Sequence, residues 1–446
     1  MTNSERLKKY FGERKNTLVF GLISQVVVFI FFFFLVKGFV LPSGGEAHAK
    51  EILAASIPFV SLGILLKIAF DKSDIPFLLL LILITPLFVA GPSFFTFVLP
   101  LICLATGYAI AFSVKDRTQL TWVAILGAFS QIIINPTVWY MAYGEENLGK
   151  IFFSSLFLIV TGPGLLGILV YIGEEIFGLP TELKLMDICS EANPLLRTLR
   201  NAAPGTFYHS VNTAFIAEEG AMAIGANRLL CRAGGLYHDI GKMWKPEYYS
   251  ENQFGEENVH DQISKDVSRL IIISHIEEGI KLAEKHGLGK SIEEIIRRHH
   301  GNAPLYYYDP RIRRELDRYP GPLPGSKEEG IVMLSDSIEA TARSLTEMSE
   351  GELKKVVRFV IGRGVKDGQT AGVGFSERDL RILEEAFIKS LKIIYHNRIF
   401  YPSQDGMLLR GSDEAGLFEK LPPAPEAEDE AAEKDGERGP GGFEYH

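Results

Sequence analysis

The stretch Tyr237-His238-Asp239-Ile240-Gly241-Lys242 sets an imidazole beside a carboxylate, with an ammonium one short turn further on. Such groups hold a divalent ion and meet a phosphate. A single His-Asp pair is a weak motif, so its meaning depends on whether the chain supplies further ligands. The chain has ten histidines. Five of them, His209, His238, His275, His299 and His300, combine with Asp239 and Asp336 into one candidate set. Seven such groups exceed the four ligands of a tetrahedral zinc site, and they suit two ions if Asp239 bridges. Imidazole and carboxylate without thiolate favour iron, manganese or zinc over copper. Two adjacent ions suit phosphoester hydrolysis, because they ionise a water near neutral pH and clamp a phosphoryl oxygen. Lys242 would place a point charge on another phosphate oxygen.

Each residue also has a plainer reading. Lys242 fits a solvated lysine at a helix end, favoured by the macrodipole. His209, beside Tyr208, fits a buried hydrogen-bonded histidine, and His275 after Ile271-Ile272-Ile273-Ser274 fits the polar edge of a core helix. Paired imidazoles at His299-His300 are harder to account for without a role. Asp336 follows Val332-Met333-Leu334, and a carboxylate on an apolar face needs a partner when buried. Singly these readings stand; jointly they leave the whole set unexplained.

The elements that must position these groups are helices. Leu183–Ile188 and Leu195–Leu199 have helical periodicity, with Pro194 restarting the helix between them. Ala203-Pro204-Gly205-Thr206 reads as a turn with Thr206 as N-cap, opening a helix that carries His209 to about Ile224. Arg228 to Ile240 would be a helix ending in the His-Asp pair. Tyr248 to Gln262 reads as loop, and Asp266 to His286 as a helix carrying His275. Ser291 would cap a helix that ends at His299-His300. Asp309 to Ser326 is loop-like, and Glu328 to Leu345 a helix carrying Asp336. No segment alternates like a strand, so the fold class is all-α. A helical bundle can aim residues from several helices at one point.

The first 172 positions hold most of the apolar residues. Runs at Asn16–Val40, Ile52–Phe70, Ile75–Ala90, Ser93–Val114, Leu120–Tyr143 and Lys150–Gly173 approach the roughly 20 residues needed to cross a bilayer. They predict a polytopic helical membrane domain of about six spans, the third interrupted by Pro86, Gly91 and Pro92. Lys8, Lys9, Arg14, Lys15, Lys67, Lys72, Lys115 and Arg117 place both ends of this unit in the cytoplasm by the positive-inside rule. Gln131, Asn135, Pro136, Thr161, Gly162, Pro163 and Gly164 lie within spans and read first as helix-packing groups, with a ligand pocket at broken helices as the alternative.

The net charge of −9 over 446 residues offers no footprint for a nucleic-acid duplex. Three cysteines, Cys103, Cys189 and Cys231, have no paired spacing. The Pro- and acid-rich tail after Tyr401 cannot bury a core.

The spacing resembles the HD superfamily of metal-dependent phosphohydrolases, with His209, His238, Asp239 and Asp336 in its defining positions. It is more similar to the 7TMR-HD, PgpH-like cyclic-di-AMP phosphodiesterases. That similarity rests on Ala203–Thr206, Tyr237–Lys242, Ile271–His275, His299-His300-Gly301 and Ile331–Ser337. The resemblance implies two divalent ions, iron or manganese foremost. His209, His238, Asp239 and Asp336 would hold one, and Asp239, His275, His299 and His300 the other. It implies hydrolysis of cyclic di-AMP to pApA by a multi-pass protein of the cytoplasmic membrane, with the catalytic domain in the cytoplasm; a homodimer is compatible with it. Leu41 to Glu51 leaves no room for the family's large extracellular domain. Gly301-Asn302 after His299-His300 departs from the HD-GYP enzymes of cyclic di-GMP.

The expected organisation is a 1–15 cytoplasmic segment, a 16–173 transmembrane domain, 174–202 linker helices, a 203–401 HD phosphohydrolase domain and a 402–446 disordered acidic tail. Two other functions fit the same residues: an HD phosphohydrolase acting on another nucleotide, and a non-enzymatic, nucleotide-responsive membrane signalling module. In the catalytic reading Asp239 and Lys242 carry the chemistry.

Overall fold

The computed structural model describes residues 57–70, 93–114, 116–253, 259–305, 318–345 and 349–395, with scattered residues between 19 and 83. The first and third expected spans fall largely outside the described residues, as does the 402–446 tail.

Among the described residues the chain is helical, with no strand and one isolated bridge between Pro304 and Arg318. Apolar helices come first: α1 (Phe59–Ala69), α2 (Phe94–Ile110), α3 (Arg117–Tyr143) and α4 (Leu148–Glu175). Among the described residues, α2 with its following 3-10 turn and α3 are long and apolar enough to cross a bilayer. The two halves of α4 meet at 42°, where Pro163 removes a hydrogen bond to Ile159 and its ring crowds that carbonyl. At 11 residues, α1 is shorter than a full crossing.

These helices pack with polarity reversed. Gln131 and Asn135 on α3 are 1% and 0% exposed, while Trp122, Leu126 and Ile133 are 67%, 64% and 72% exposed. Asn135 Nδ2 donates to the Ala55 carbonyl at 3.0 Å. A water-facing bundle would show the opposite pattern.

Two short helices follow, α5 (Glu182–Ile188) and α6 (Pro194–Ala202). Thr181 and Asn193 cap them with side-chain oxygens on Lys184 N and Leu195 N. α5 is tied to the apolar helices at two points. Lys67 at the end of α1 reaches Glu182 at 2.7 Å, and Arg117 at the start of α3 reaches Asp187 at 2.9 Å. Its other side meets the remaining helices, where the Tyr237 hydroxyl donates to the Ile188 carbonyl at 2.7 Å.

The helices that carry the candidate residues are α7 (Pro204–Ile224), α8 (Arg228–Tyr237), α9 (Lys265–Lys285), α10 (Lys290–Arg298) and α11 (Lys327–Arg343), backed by α12 (Glu350–Lys366) and α13 (Glu377–Ile394). Tyr237, Ile240, Ile295, Val332, Ile338 and Phe387 lie in their shared core, each at 1% exposure or less. Fully burying one such side chain stabilises by about 1.5–3 kcal/mol relative to exposure.

Three local expectations differ. Thr206 does not cap α7; the helix begins at Pro204, whose missing N–H costs nothing in the first turn. The helix before the His-Asp pair stops at Tyr237 rather than Ile240, and a 3-10 turn, Ile240–Trp244, follows. Ser291 does not cap α10, which starts after Gly289 at φ +95°. Gly289 has no side-chain oxygen to offer as a cap, and its use is the backbone angle.

Two glycines allow the close packing at the centre. A Cβ on Gly235 would lie 2.5 Å from Ala214 Cα, so only glycine lets α8 sit this near α7. A Cβ on Gly241 would lie 1.9 Å from the His275 carbonyl oxygen, so the 3-10 turn needs glycine against α9.

Candidate metal centre

Five helices and one 3-10 turn meet at one point. His238 and Asp239 leave the end of α8, and Lys242 follows on the 3-10 turn. His209 comes from the second turn of α7, His275 from the middle of α9, and His299-His300 from the end of α10. Asp336 comes from α11. All seven candidate ligands are brought together, and Lys242 with them.

Asp239 divides its two oxygens. Oδ2 lies 3.2 Å from His238 Nε2 and 3.7 Å from His209 Nε2. Oδ1 lies 3.5 Å from His275 Nε2 and 3.6 Å from His299 Nε2. Asp336 divides likewise: Oδ1 is 3.0 Å from His209 Nε2 and 3.6 Å from His238 Nε2, while Oδ2 is 3.8 Å from His300 Nδ1. Two ligand groups result, His209-His238-Asp239 and Asp239-His275-His299-His300, each with donor atoms within 4.8 Å of one another. Asp239 belongs to both.

The ring nitrogens show what these groups are suited to. His238 Nδ1 faces the Gly235 carbonyl at 2.9 Å, and His299 Nδ1 faces the Ile296 carbonyl at 2.7 Å. His275 Nδ1 likewise faces the Ile272 carbonyl. A carbonyl only accepts, so Nδ1 carries the hydrogen and the Nε2 lone pair points into the cluster. Those lone pairs meet carboxylate oxygens, which also only accept. Both His238 Nε2 and Asp239 Oδ1 are buried without a hydrogen bond. Converging lone pairs at this spacing need a cation between them. Neighbouring donors around an ion with bonds of about 2.0–2.2 Å sit roughly 3–3.5 Å apart, so the residues present fit divalent metal.

Without metal, protons supply part of that charge. Burial pulls the His209 imidazolium down, but Glu339 and Asp336 outweigh it and raise His209 to about 9. Burial likewise opposes charge on His238, and Asp239 and Asp336 overcome it, raising it to about 10. His275 goes the other way, down to about 4, because burial there is only partly offset by Asp239. Asp239 stays well below the usual carboxylate range despite its burial, held by Lys242 and His238.

Several contributing residues escape a reading of the sequence. Glu339 meets His209 Nδ1, and Asn212 Nδ2 donates to its other oxygen at 3.2 Å. Glu251, on the 3-10 turn Ser250–Asn252, accepts the Lys242 ammonium at 2.8 Å. Tyr319 stacks on His300 with ring centroids 4.1 Å apart. Glu339 had a local signal, since it lies one turn beyond Asp336 on the same buried face; Glu251 and Tyr319 had none. The cluster forms the floor of a cleft of about 780 Å³ whose walls include Lys242, Tyr249, Tyr319, Met333 and Arg363.

The family described as HD domain matches residues 206–341, a span that contains every candidate ligand. The chain is 37% identical over 236 residues to the cyclic-di-AMP phosphodiesterase PgpH of Bacillus subtilis, covering 51% of this chain and 33% of the relative. It is 34% identical over 278 residues to PgpH of Listeria monocytogenes, covering 61% of this chain and 38% of the relative. It therefore spans little more than a third of these relatives' length. Solved structures of the L. monocytogenes PgpH HD domain, one of them in complex with cyclic-di-AMP, match at 38% and 35% identity with a TM-score of 0.44, covering 46% of this chain and 100% of theirs. Residues 206–341 match the HD domain family, and about half of the chain is similar to the PgpH cyclic-di-AMP phosphodiesterases.

Proposed function

We propose that this chain is a membrane-anchored, metal-dependent phosphodiesterase that hydrolyses a cyclic dinucleotide, cyclic di-AMP, to linear pApA. The observation that carries the reading is the division of Asp239, one oxygen toward His209 and His238 and the other toward His275 and His299. The homology to PgpH supports the substrate.

His209, His238, Asp239 and Asp336 would hold one ion, and Asp239, His275, His299 and His300 the other, with iron or manganese suited to this thiolate-free donor set. When bound, such a pair supplies Lewis-acid charge for a phosphoryl oxygen and lowers the pKa of water toward neutrality. The chain's own part is orientation. The carbonyls of Gly235, Ile272 and Ile296 hold three imidazoles with Nε2 inward. Lys242, on the cleft wall beside Asp239, would meet a phosphate oxygen of the substrate. The cleft volume of about 780 Å³ is ample for a dinucleotide.

The membrane anchorage rests on the apolar helices and their outward Trp122, Leu126 and Ile133. Loop charge favours a cytoplasmic HD domain.

The test uses the full chain in detergent or nanodiscs with manganese or ferrous iron, assayed against a panel of cyclic and linear nucleotides. Turnover of cyclic di-AMP to pApA, abolished in Asp239→Ala, is expected. Turnover of another nucleotide with none of cyclic di-AMP would overturn the substrate. Lack of any turnover, with metal content unchanged in Asp239→Ala, would overturn the enzyme reading.

A further inference from the structure

His238, His275 and His299 share one device. Each turns Nδ1 onto the carbonyl three residues earlier in its own chain. These anchors are main chain and survive any side-chain change. His209 differs, since its Nδ1 meets the Glu339 carboxylate from another helix.

The contact is a double match of helical turns. His209 and Asn212 lie three residues apart on α7, and Asp336 and Glu339 lie three apart on α11. Residues at that spacing share a helix face. Asp336 Oδ1 stands 3.0 Å from His209 Nε2, Glu339 meets Nδ1, and Asn212 Nδ2 holds the second Glu339 oxygen at 3.2 Å. The His209 ring is therefore gripped at both nitrogens by carboxylates of one helix. Glu339 is 1% exposed, and a buried carboxylate is costly unless it is bonded.

The two ligand groups consequently differ in charge. Around His209 and His238 stand Asp239, Asp336 and Glu339. Around His275, His299 and His300 the near carboxylate is Asp239, with Asp336 Oδ2 further off at 3.8 Å from His300. A carboxylate behind a metal-binding imidazole fixes its orientation and strengthens it as a donor, and added negative charge draws a divalent ion.

We propose that Glu339 is a positioning residue that holds His209 as an Nε2 donor and makes the two metal positions unequal. The His209–His238–Asp239–Asp336 position fills first and more tightly, and the position lined by three imidazoles fills second. This rests on the two-metal reading above.

The experiment is a Mn²⁺ titration of the full chain in nanodiscs, read by calorimetry and by electron paramagnetic resonance of the coupled pair. ¹⁵N-histidine NMR of the protein loaded with diamagnetic Zn²⁺ reports which His209 nitrogen carries the hydrogen. The wild type should show two classes of site. Glu339→Gln keeps the shape and loses the charge. It should weaken the tighter class about 10- to 100-fold, leave the weaker class unchanged, and give His209 a mixture of tautomers. Glu339→Asp keeps the charge but shortens the reach and should weaken the same class. Asn212→Ala leaves the His209–Glu339 contact in place and should stay near wild type. Wild-type affinity for the first Mn²⁺ in both Glu339 variants, with the His209 tautomer unchanged, would overturn the inference alone. A wild type that binds no Mn²⁺ would overturn it together with the two-metal reading.

Discussion

Lys242 Nζ sits between two carboxylates, 2.7 Å from Asp239 Oδ2 and 2.8 Å from Glu251 Oε1. The first partner lies three residues back, on the other side of Gly241. The second reaches in from the Ser250–Asn252 turn, which is pinned to α7 by Asn252 Oδ1 on Thr206 N at 3.1 Å. The ammonium is thus held at the cleft wall next to the residue shared by both ligand groups.

Lys242→Ala should lower kcat for cyclic di-AMP by about 100-fold, the scale of losing one charge-stabilising donor. Mn²⁺ stoichiometry should stay at the wild-type value, and Lys242→Arg should recover part of the rate. Steady-state kinetics with parallel metal analysis decides this. Lost metal in place of lost rate would mean that Lys242 acts by holding Asp239.

Glu251 sets an acid limit. Burial would raise its carboxyl, but Lys242 outweighs burial and lowers it to about 2 from an ordinary value of 4.5. A folded value below the unfolded one stabilises the fold above the unfolded pKa, and that contribution is lost as pH falls from about 4.5 toward 2. Glu251→Gln should remove this component, flattening the fall in melting temperature over that window while lowering stability at pH 7. Thermal unfolding of the metal-free protein across pH measures both.

Gly241→Ala should be severe. The new Cβ would meet the His275 carbonyl oxygen at 1.9 Å and Gly279 N at 2.5 Å. Both are backbone, so α9 must move and carry His275 with it. Overpacking of this kind costs about 1–3 kcal/mol, occasionally more. Chemical denaturation should show the loss, and Mn²⁺ affinity should fall with it. Unchanged stability would refute the packing account.

Arg117→Ala should loosen the junction between the apolar helices and α5. The guanidinium bonds Glu174 at 2.7 Å and Asp187 at 2.9 Å, and the Glu174 side chain is 3% exposed. Removing a charged partner from a buried carboxylate costs about 1.5–3 kcal/mol. Asp187→Ala, whose own side chain is 45% exposed, should cost much less. Limited proteolysis between residues 176 and 194 should speed up in Arg117→Ala and barely change in Asp187→Ala.

The all-helical class and most helix positions were legible in the sequence, because periodicity and capping are local. Asn193, Ser264 and Ser326 cap helices from the residue just before them. The errors were local too. Thr206 and Ser291 are cap-type residues one or two positions inside their helices, displaced by a proline that suits the first turn and a glycine that suits a positive φ. Residue type alone does not rank those competing signals.

The sequence by itself determined which groups are available: five imidazoles, Asp239, Asp336 and Lys242, with the glycine between Asp239 and Lys242 that permits a tight turn. The tertiary structure alone decided how they face one another. It turned the two oxygens of Asp239 to different histidine pairs, set Asp336 against both groups, and brought Glu339 to His209 across 130 residues and Glu251 to Lys242. The physical reason is that a periodic pattern gives the face on which a side chain sits. The partner it meets depends on how closely two helices approach, and here Gly235 against Ala214 and Gly241 against His275 set that distance.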